Sequence, residues 1–83
     1  IYTLPLHDAL PIFVEIHVTK RMVGKSLREL DIRAKYGCNV MAIKSNGSMN
    51  IAPRAEDIMH EDDILVVIGS NDDLRKFEKS FEE

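Results

Sequence analysis

The chain of 83 residues is poor in the features that mark several large classes of protein. Its one cysteine, Cys38, excludes an internal disulfide and any metal site built from several cysteines. No apolar run approaches the roughly 20 residues that a membrane-spanning helix requires. The net charge is −3 and no basic block is present, which argues against nucleic acid, because binding it needs many cationic contacts to phosphate. These features suit a small cytoplasmic domain.

The first twelve residues do not share the pattern of the remainder. They contain Pro5 and Pro11 and show neither a helical nor a strand period. Their sequence is similar to the translation of a sequencing-library adapter, and we interpret residues 1–12 as a non-native leader. The alternative is a real N-terminal extension, such as a pairing strand. We predict one domain over residues 13–83.

Hydrophobic periodicity and capping signals predict an α+β fold with the order β-α-β-β-β-α. The first helix is the clearest element, because Ser26 and Glu29 have the spacing of a capping box and Gly37 supplies a stop. We expect its core-facing residues to be Leu27, Leu30 and Ala34.

The strands alternate with turn signals. Asn46-Gly47 predicts a two-residue hairpin loop, Pro53 predicts the end of the strand after it, and residues 54–62 read as a polar connection. Ser70 with Asp73 predicts a second capping box. The predicted strands are 13–19, a buried strand at 38–43, a returning strand at 49–52 and a central strand at 63–69; the last helix has an apolar stripe of Leu74, Phe77 and Phe81.

Three groups of residues suggest other chemistry, but each lacks a necessary part. Gly24-Lys25-Ser26 matches the end of a phosphate-binding P-loop, yet Thr19 stands where that loop needs a glycine. His60 to Asp63 is rich in metal ligands, but four adjacent side chains before a strand cannot all converge, so we expect a solvated turn and no metal. Cys38 has no neighbouring histidine to activate it and lies in an apolar run. No catalytic constellation emerges, and we predict that the domain is not an enzyme.

Arg33 and Asn39 are the most informative polar pair. Arg33 lies one residue off the apolar stripe and Asn39 opens the next strand, so both can border one cleft beside Gly37. A guanidinium presents a planar fork to phosphate oxygens. An amide can pair with an adenine edge as donor and acceptor. The alternative is a surface network of Arg33 with Asp31 or Glu29, with Asn39 bonded to loop backbone.

The run Leu30-Asp31-Ile32-Arg33, followed after five residues by Asn39-Val40, resembles the cyclic di-AMP motif of Ktr-type gating subunits. These proteins control potassium uptake in Gram-positive bacteria, and their ligand-sensing lobe is the RCK or TrkA C-terminal domain. The resemblance extends from about residue 13 to the C-terminus. It implies that Arg33 meets a phosphate, that Asn39 meets an adenine and that Asp31 orients Arg33. The implied apolar walls are Ile32, Ala34, Val40, Ile51 and Pro53.

The resemblance also implies a setting for the domain. A separate N-terminal nucleotide-binding domain precedes such lobes, which assemble into rings on a membrane potassium channel subunit, at the inner face of the cell membrane. Cyclic di-AMP would bind between two copies and inhibit uptake. The modest size of the native segment favours a homodimer as well. The competing function is a structural dimerisation lobe of a Trk-type or antiporter subunit without nucleotide; an enzyme accessory domain is weaker.

Overall fold

Seven short elements form the part of the chain that the structure, a computed structural model, describes, namely residues 11–82. The predicted α+β class is confirmed, with the first helix divided in two. Most of the predicted leader lies outside the described residues, although Ile12 begins β1 and pairs with Gly69. The elements are β1 Ile12–His17, α1 Leu27–Leu30, α2 Ile32–Tyr36, β2 Asn39–Ser45, β3 Ser48–Ile51, β4 Ile64–Gly69 and α3 Asn71–Ser80.

The four strands form one antiparallel sheet in the order β1-β4-β2-β3. The prediction that β4 is a central strand is confirmed, because it pairs with β1 on one side and with β2 on the other. Leu65 and Val67 of β4 are fully buried on the face that the helices cover. Ile16 of β1 and Ile43 of β2 lie beside Leu65 on the same face and extend the core across the sheet.

The hairpin between β2 and β3 forms as the sequence predicts. Asn46 and Gly47 have φ values of 43° and 89°, the left-handed conformation that this two-residue loop requires. The predicted buried strand over residues 38–43 is buried at Cys38, Ala42 and Ile43, whereas Asn39 and Met41 are exposed and Val40 is half-buried. The register shifts between Val40 and Ala42, and this bulge leaves Met41 with 44% of its surface exposed.

The predicted continuous first helix is interrupted at Asp31, which adopts a left-handed conformation with φ 48° and ψ 44°. Leu30 and Ile32 are both buried, at 3% and 4% exposure. In a continuous helix, side chains at positions i and i+2 point about 200° apart. Leu30 and Ile32 can therefore both enter one core only if the helix breaks between them. Ala34 is therefore exposed, and its predicted place in the core is taken by Ile32.

The connection between β3 and β4 is more ordered and less polar than predicted. Its backbone runs beside the start of α1, where the N–H groups of Leu27 and Arg28 donate to the carbonyls of Asp57 and Ala55. Met59 lies within this connection and is fully buried. Met22, in the loop before α1, is buried as well, so both loops contribute to the core.

Helix α3 packs its apolar stripe against the sheet and α2. Leu74 and Phe77 are buried, and Phe77 contacts the ring of Tyr36 with 5.5 Å between centroids. Ser70 caps the helix by accepting from the N–H of Asp73, as predicted. The second capping box is half formed, because the Asp73 carboxylate lies against Gly37 instead of returning to Ser70.

Candidate functional site

A small groove of about 150 Å³ lies where the junction of α1 and α2 meets the start of β2. The helix break at Asp31 forms one side of this groove, and the first two residues of β2 form the other. The groove opens beyond the end of β3, whose pairing with β2 begins only at Ala42. Its lining residues are Leu27, Asp31, Ile32, Arg33, Cys38, Asn39 and Val40.

Arg33 supplies the positive charge of the groove. It lies next to the buried Ile32 on α2, and about 100° of helical rotation places it on the exposed side. Its backbone carbonyl accepts from the N–H of Gly37, which ends the helix with φ 75°. The guanidinium makes no hydrogen bond or ion pair with any residue between 11 and 82. All five of its N–H donors are therefore available to a ligand.

Asn39 supplies the amide of the groove. It is the first residue of β2, and its backbone position is fixed by pairing with Ile68 of the central strand. Its side chain is exposed and forms no hydrogen bond within the described segment. One amide donor pair and one carbonyl acceptor thus face solvent beside Arg33.

The alternative surface network around Arg33 does not form. Glu29 Oε1 instead accepts from the Ser26 N–H at 3.0 Å, while Ser26 Oγ accepts from the Glu29 N–H at 3.2 Å, which completes the predicted capping box. No ion pair joins Asp31 to Arg33 within the described residues. Glu29 and Asp31 therefore leave the guanidinium free.

The groove brings together five of the eight residues predicted for the site, Asp31, Ile32, Arg33, Asn39 and Val40. The remaining three lie outside its lining. Ala34 is exposed on α2, Ile51 is 74% exposed on β3, and Pro53 is half-buried just after that strand.

Two lining residues were not predicted, Leu27 and Cys38. Leu27 follows the helix cap and points toward the core at its edge. Cys38 directly precedes Asn39, so its adjacency to a candidate residue was the signal available in the sequence.

The comparisons with known proteins identify the family of this domain. The family model of the TrkA-C domain matches residues 12–82. The chain belongs to the TrkA-C domain family. Within this family it is similar to two Ktr system potassium uptake proteins of Bacillus subtilis (strain 168). Protein C is 48% identical over 66 residues, covering 80% of this chain and 30% of that protein. Protein A is 43% identical over 65 residues, covering 78% and 29%.

Solved structures that are similar over most of both chains include the following one. It is the RCK C domain of the potassium transport protein KtrA in complex with cyclic diadenosine monophosphate, at 41% identity and a TM-score of 0.82. The match covers 84% of this chain and 82% of that chain. By contrast, this chain spans only about 30% of the length of the curated Ktr relatives.

Cys38 lines the groove of this TrkA-C domain with a thiol of low reactivity. The residue is fully buried, and its Sγ would lie 3.0 Å from a Cβ placed on Gly69. Burial raises the pKa of the thiol, and the nearby Asp73 carboxylate raises it further. A thiol with a raised pKa holds little thiolate near neutral pH, so it is a poor nucleophile.

The size of the groove limits what one TrkA-C domain can hold. Pockets for drug-sized ligands occupy about 300–1,000 Å³. A groove of about 150 Å³ is half the lower limit, so one chain by itself does not enclose a ligand of that size.

Metal binding and membrane insertion find no support among residues 11–82. In that range no group of three histidine, cysteine or acidic side chains is arranged to hold a metal ion. His60 and Asp63 approach at 3.7 Å, with Asp63 also accepting from the hydroxyl of Ser45. None of the described helices is long and apolar enough to cross a bilayer.

Proposed function

We propose that this TrkA-C domain is the regulatory ligand-binding domain of a gating subunit of a potassium-uptake system. In this proposal it binds cyclic di-AMP between two copies of the domain, and binding inhibits transport. The observation that carries the proposal is that one groove is lined by both a guanidinium, from Arg33, and an amide, from Asn39, which are unpaired within residues 11–82. The KtrA domain of similar sequence and fold, solved in complex with this nucleotide, supports the choice of ligand.

Arg33 is proposed to bind a phosphate of the ligand. Its unpaired fork can make two parallel, charge-assisted hydrogen bonds to phosphate oxygens. Asn39 is proposed to bind the adenine edge, donating and accepting through its amide. Ile32 and Val40 form the apolar walls on the same chain, and Asp31 belongs to the site as a neighbour of Arg33.

A homodimer would complete the site. Cyclic di-AMP has two phosphates and two adenines related by two-fold symmetry, so each protomer of an isologous dimer can present the same groups to one half of it. The remaining proposed walls, Ala34, Ile51 and Pro53, lie outside the groove of one chain. We place them as surfaces that the dimer brings against the ligand.

The exposed apolar residues of the hairpin support association of two copies. Met41, Met49 and Ile51 each expose 44% or more of their surface on neighbouring positions of β2 and β3. A neighbouring set of exposed apolar side chains on a small domain is typical of an interaction surface. Burying Ile51 and Met49 against a second copy would remove this surface from water.

The wider setting of the domain follows from the same proposal. A preceding nucleotide-binding domain would assemble the subunit into a ring, and the ring would contact a membrane potassium channel subunit at the cytoplasmic face. Nucleic acid is not a proposed partner. Cyclic di-AMP would shift the conformational equilibrium of the ring by binding one conformation more tightly than the other.

The proposal is tested by calorimetric titration of cyclic di-AMP into wild-type chain and into Arg33→Ala, Asn39→Ala and Arg28→Ala. Arg28 is exposed on α1 and does not line the groove, so it serves as a matched control. Arg33→Ala should weaken affinity at least tenfold, which corresponds to about 1.4 kcal/mol. Asn39→Ala should weaken it less and reduce the preference for adenine over guanine, whereas Arg28→Ala should bind as wild type.

Equal affinity in Arg33→Ala and wild type would contradict the proposed phosphate contact. A wild-type dimer that gives no heat would favour the second candidate, a structural dimerisation lobe without nucleotide. The exposed hairpin residues Met49 and Ile51 favour association of two copies under both candidate functions. They do not discriminate between a domain that binds nucleotide and one that does not.

A further inference from the structure

The helix break at Asp31 allows the residue on each side of it to enter the core. On its N-terminal side Leu30 enters the core, and on its C-terminal side Ile32 does the same. In an unbroken helix Ile32 would point away from the core and Ala34 would replace it, as the sequence pattern alone predicts. Arg33 would then flank the buried stripe, about 60° from Leu30. The break therefore determines the direction in which Arg33 projects.

The backbone of Asp31 holds this break. Its N–H donates to the carbonyl of Leu27 at 2.9 Å and closes α1, and its own carbonyl accepts from the N–H of Lys35 at 3.0 Å and opens α2. Between these two bonds its own backbone is left-handed, with φ 48°, and this conformation separates the two helices. Most residues avoid this region, whereas glycine enters it freely and asparagine and aspartate do so more readily than others.

Unlike its backbone, the carboxylate of Asp31 makes no hydrogen bond or ion pair within residues 11–82 that stabilises either helix. It caps neither helix, since no side-chain bond to the start of α2 forms. No ion pair links it to Arg33 among the described residues. The role of orienting Arg33 through its side chain, which the family resemblance implies, therefore has no contact to support it.

We infer that Asp31 is a positioning residue that aims Arg33 into the groove through its left-handed backbone and not through its carboxylate. The inference rests on the proposed function, because it concerns how the phosphate-binding arginine of that site is presented. It predicts that substitutions at residue 31 follow the backbone preference of the new residue, regardless of charge.

Four variants of Asp31 distinguish an effect of its backbone conformation from an effect of its carboxylate. Asp31→Gly and Asp31→Asn remove the charge and keep access to the left-handed region, whereas Asp31→Ala and Asp31→Val remove the charge and disfavour that region, valine most of all. Each is titrated with cyclic di-AMP at a temperature at which circular dichroism shows it folded, and thermal unfolding is measured without ligand.

The glycine and asparagine variants should bind within about threefold of wild type, and the valine variant should bind at least tenfold more weakly, with alanine between them. Unfolding temperatures should follow the same order. If Asp31→Val does not fold, the contrast of Asp31→Ala with Asp31→Gly decides the matter. Asp31→Asn should match Asp31→Gly in either case.

Equal losses of affinity in Asp31→Asn, Asp31→Gly and Asp31→Ala would overturn the inference, because they would assign the effect to the carboxylate. Affinity that stays at the wild-type value in Asp31→Val and Asp31→Ala would overturn it too, since the break would then have no bearing on binding. A wild-type chain that binds no cyclic di-AMP would refute the proposed function itself, a result distinct from either of these.

Discussion

Replacing Gly37 with alanine should destabilise the domain through two effects that can be measured separately. Gly37 has φ 75°, a region that costs an L-residue about 1–2 kcal/mol. An alanine Cβ would also lie 2.8 Å from Asp73 Oδ2 and 3.4 Å from its Cγ. The end of the Asp73 side chain must then move away, which costs about 0.5 kcal/mol, the lower end of the off-rotamer range, because Oδ2 is the tip of a flexible side chain. Reduced freedom of the unfolded chain offsets about 0.4–1 kcal/mol.

The expected net loss is about 1 kcal/mol, or a fall in Tm of about 4–8 °C for a domain of this size. In an Asp73→Ala background the contact with the carboxylate is gone, so the same substitution should cost about 0.5 kcal/mol less. Urea unfolding of wild type, both single variants and the double variant measures this coupling. A neutral or stabilising Gly37→Ala, or an equal cost in both backgrounds, would refute the geometry of the turn that joins Arg33 to Asn39.

Three further predictions concern other parts of the molecule. Ile51→Glu should abolish dimerisation in analytical ultracentrifugation with little change in monomer stability, because Ile51 is 74% exposed; an unchanged dimer would exclude this residue from the interface. Cys38 should react with iodoacetamide at least about tenfold more slowly in the folded chain than in urea, because burial raises its pKa; equal rates would contradict its burial. Asp57 has a lowered pKa because it accepts from the Arg54 N–H and the Asn50 amide. Its stabilising effect is therefore present above the unfolded pKa of about 3.9 and is lost as pH falls through the lower folded value. The Tm difference between wild type and Asp57→Asn should shrink from pH 6 to pH 2, and a constant difference would contradict this assignment.

Features with a local cause could be predicted from the sequence. The capping box of Ser26 and Glu29 depends on residues three apart, and the Asn46-Gly47 loop depends on two residues that tolerate positive φ. The central strand was visible as an unbroken apolar run. The juxtaposition of Arg33 and Asn39 was also predictable, because only the short turn at Gly37 separates their elements.

Features that depend on the whole core could not be predicted. A continuous helix satisfies the local pattern around Asp31, and only the burial of both Leu30 and Ile32 shows that it breaks. Met59 lies in a polar run, so nothing nearby indicates that its side chain fills the core. The places of Ile51 and Pro53 relative to the groove depend on the path of β3 and on a second copy of the chain.

The central claim, that this domain binds cyclic di-AMP between two copies, is tested most directly by calorimetric titration of the wild-type chain. Two facing grooves and a two-fold symmetric ligand predict saturable binding of one cyclic di-AMP for every two chains. No binding at concentrations at which the chain is dimeric, or one ligand for each chain, would contradict the claim.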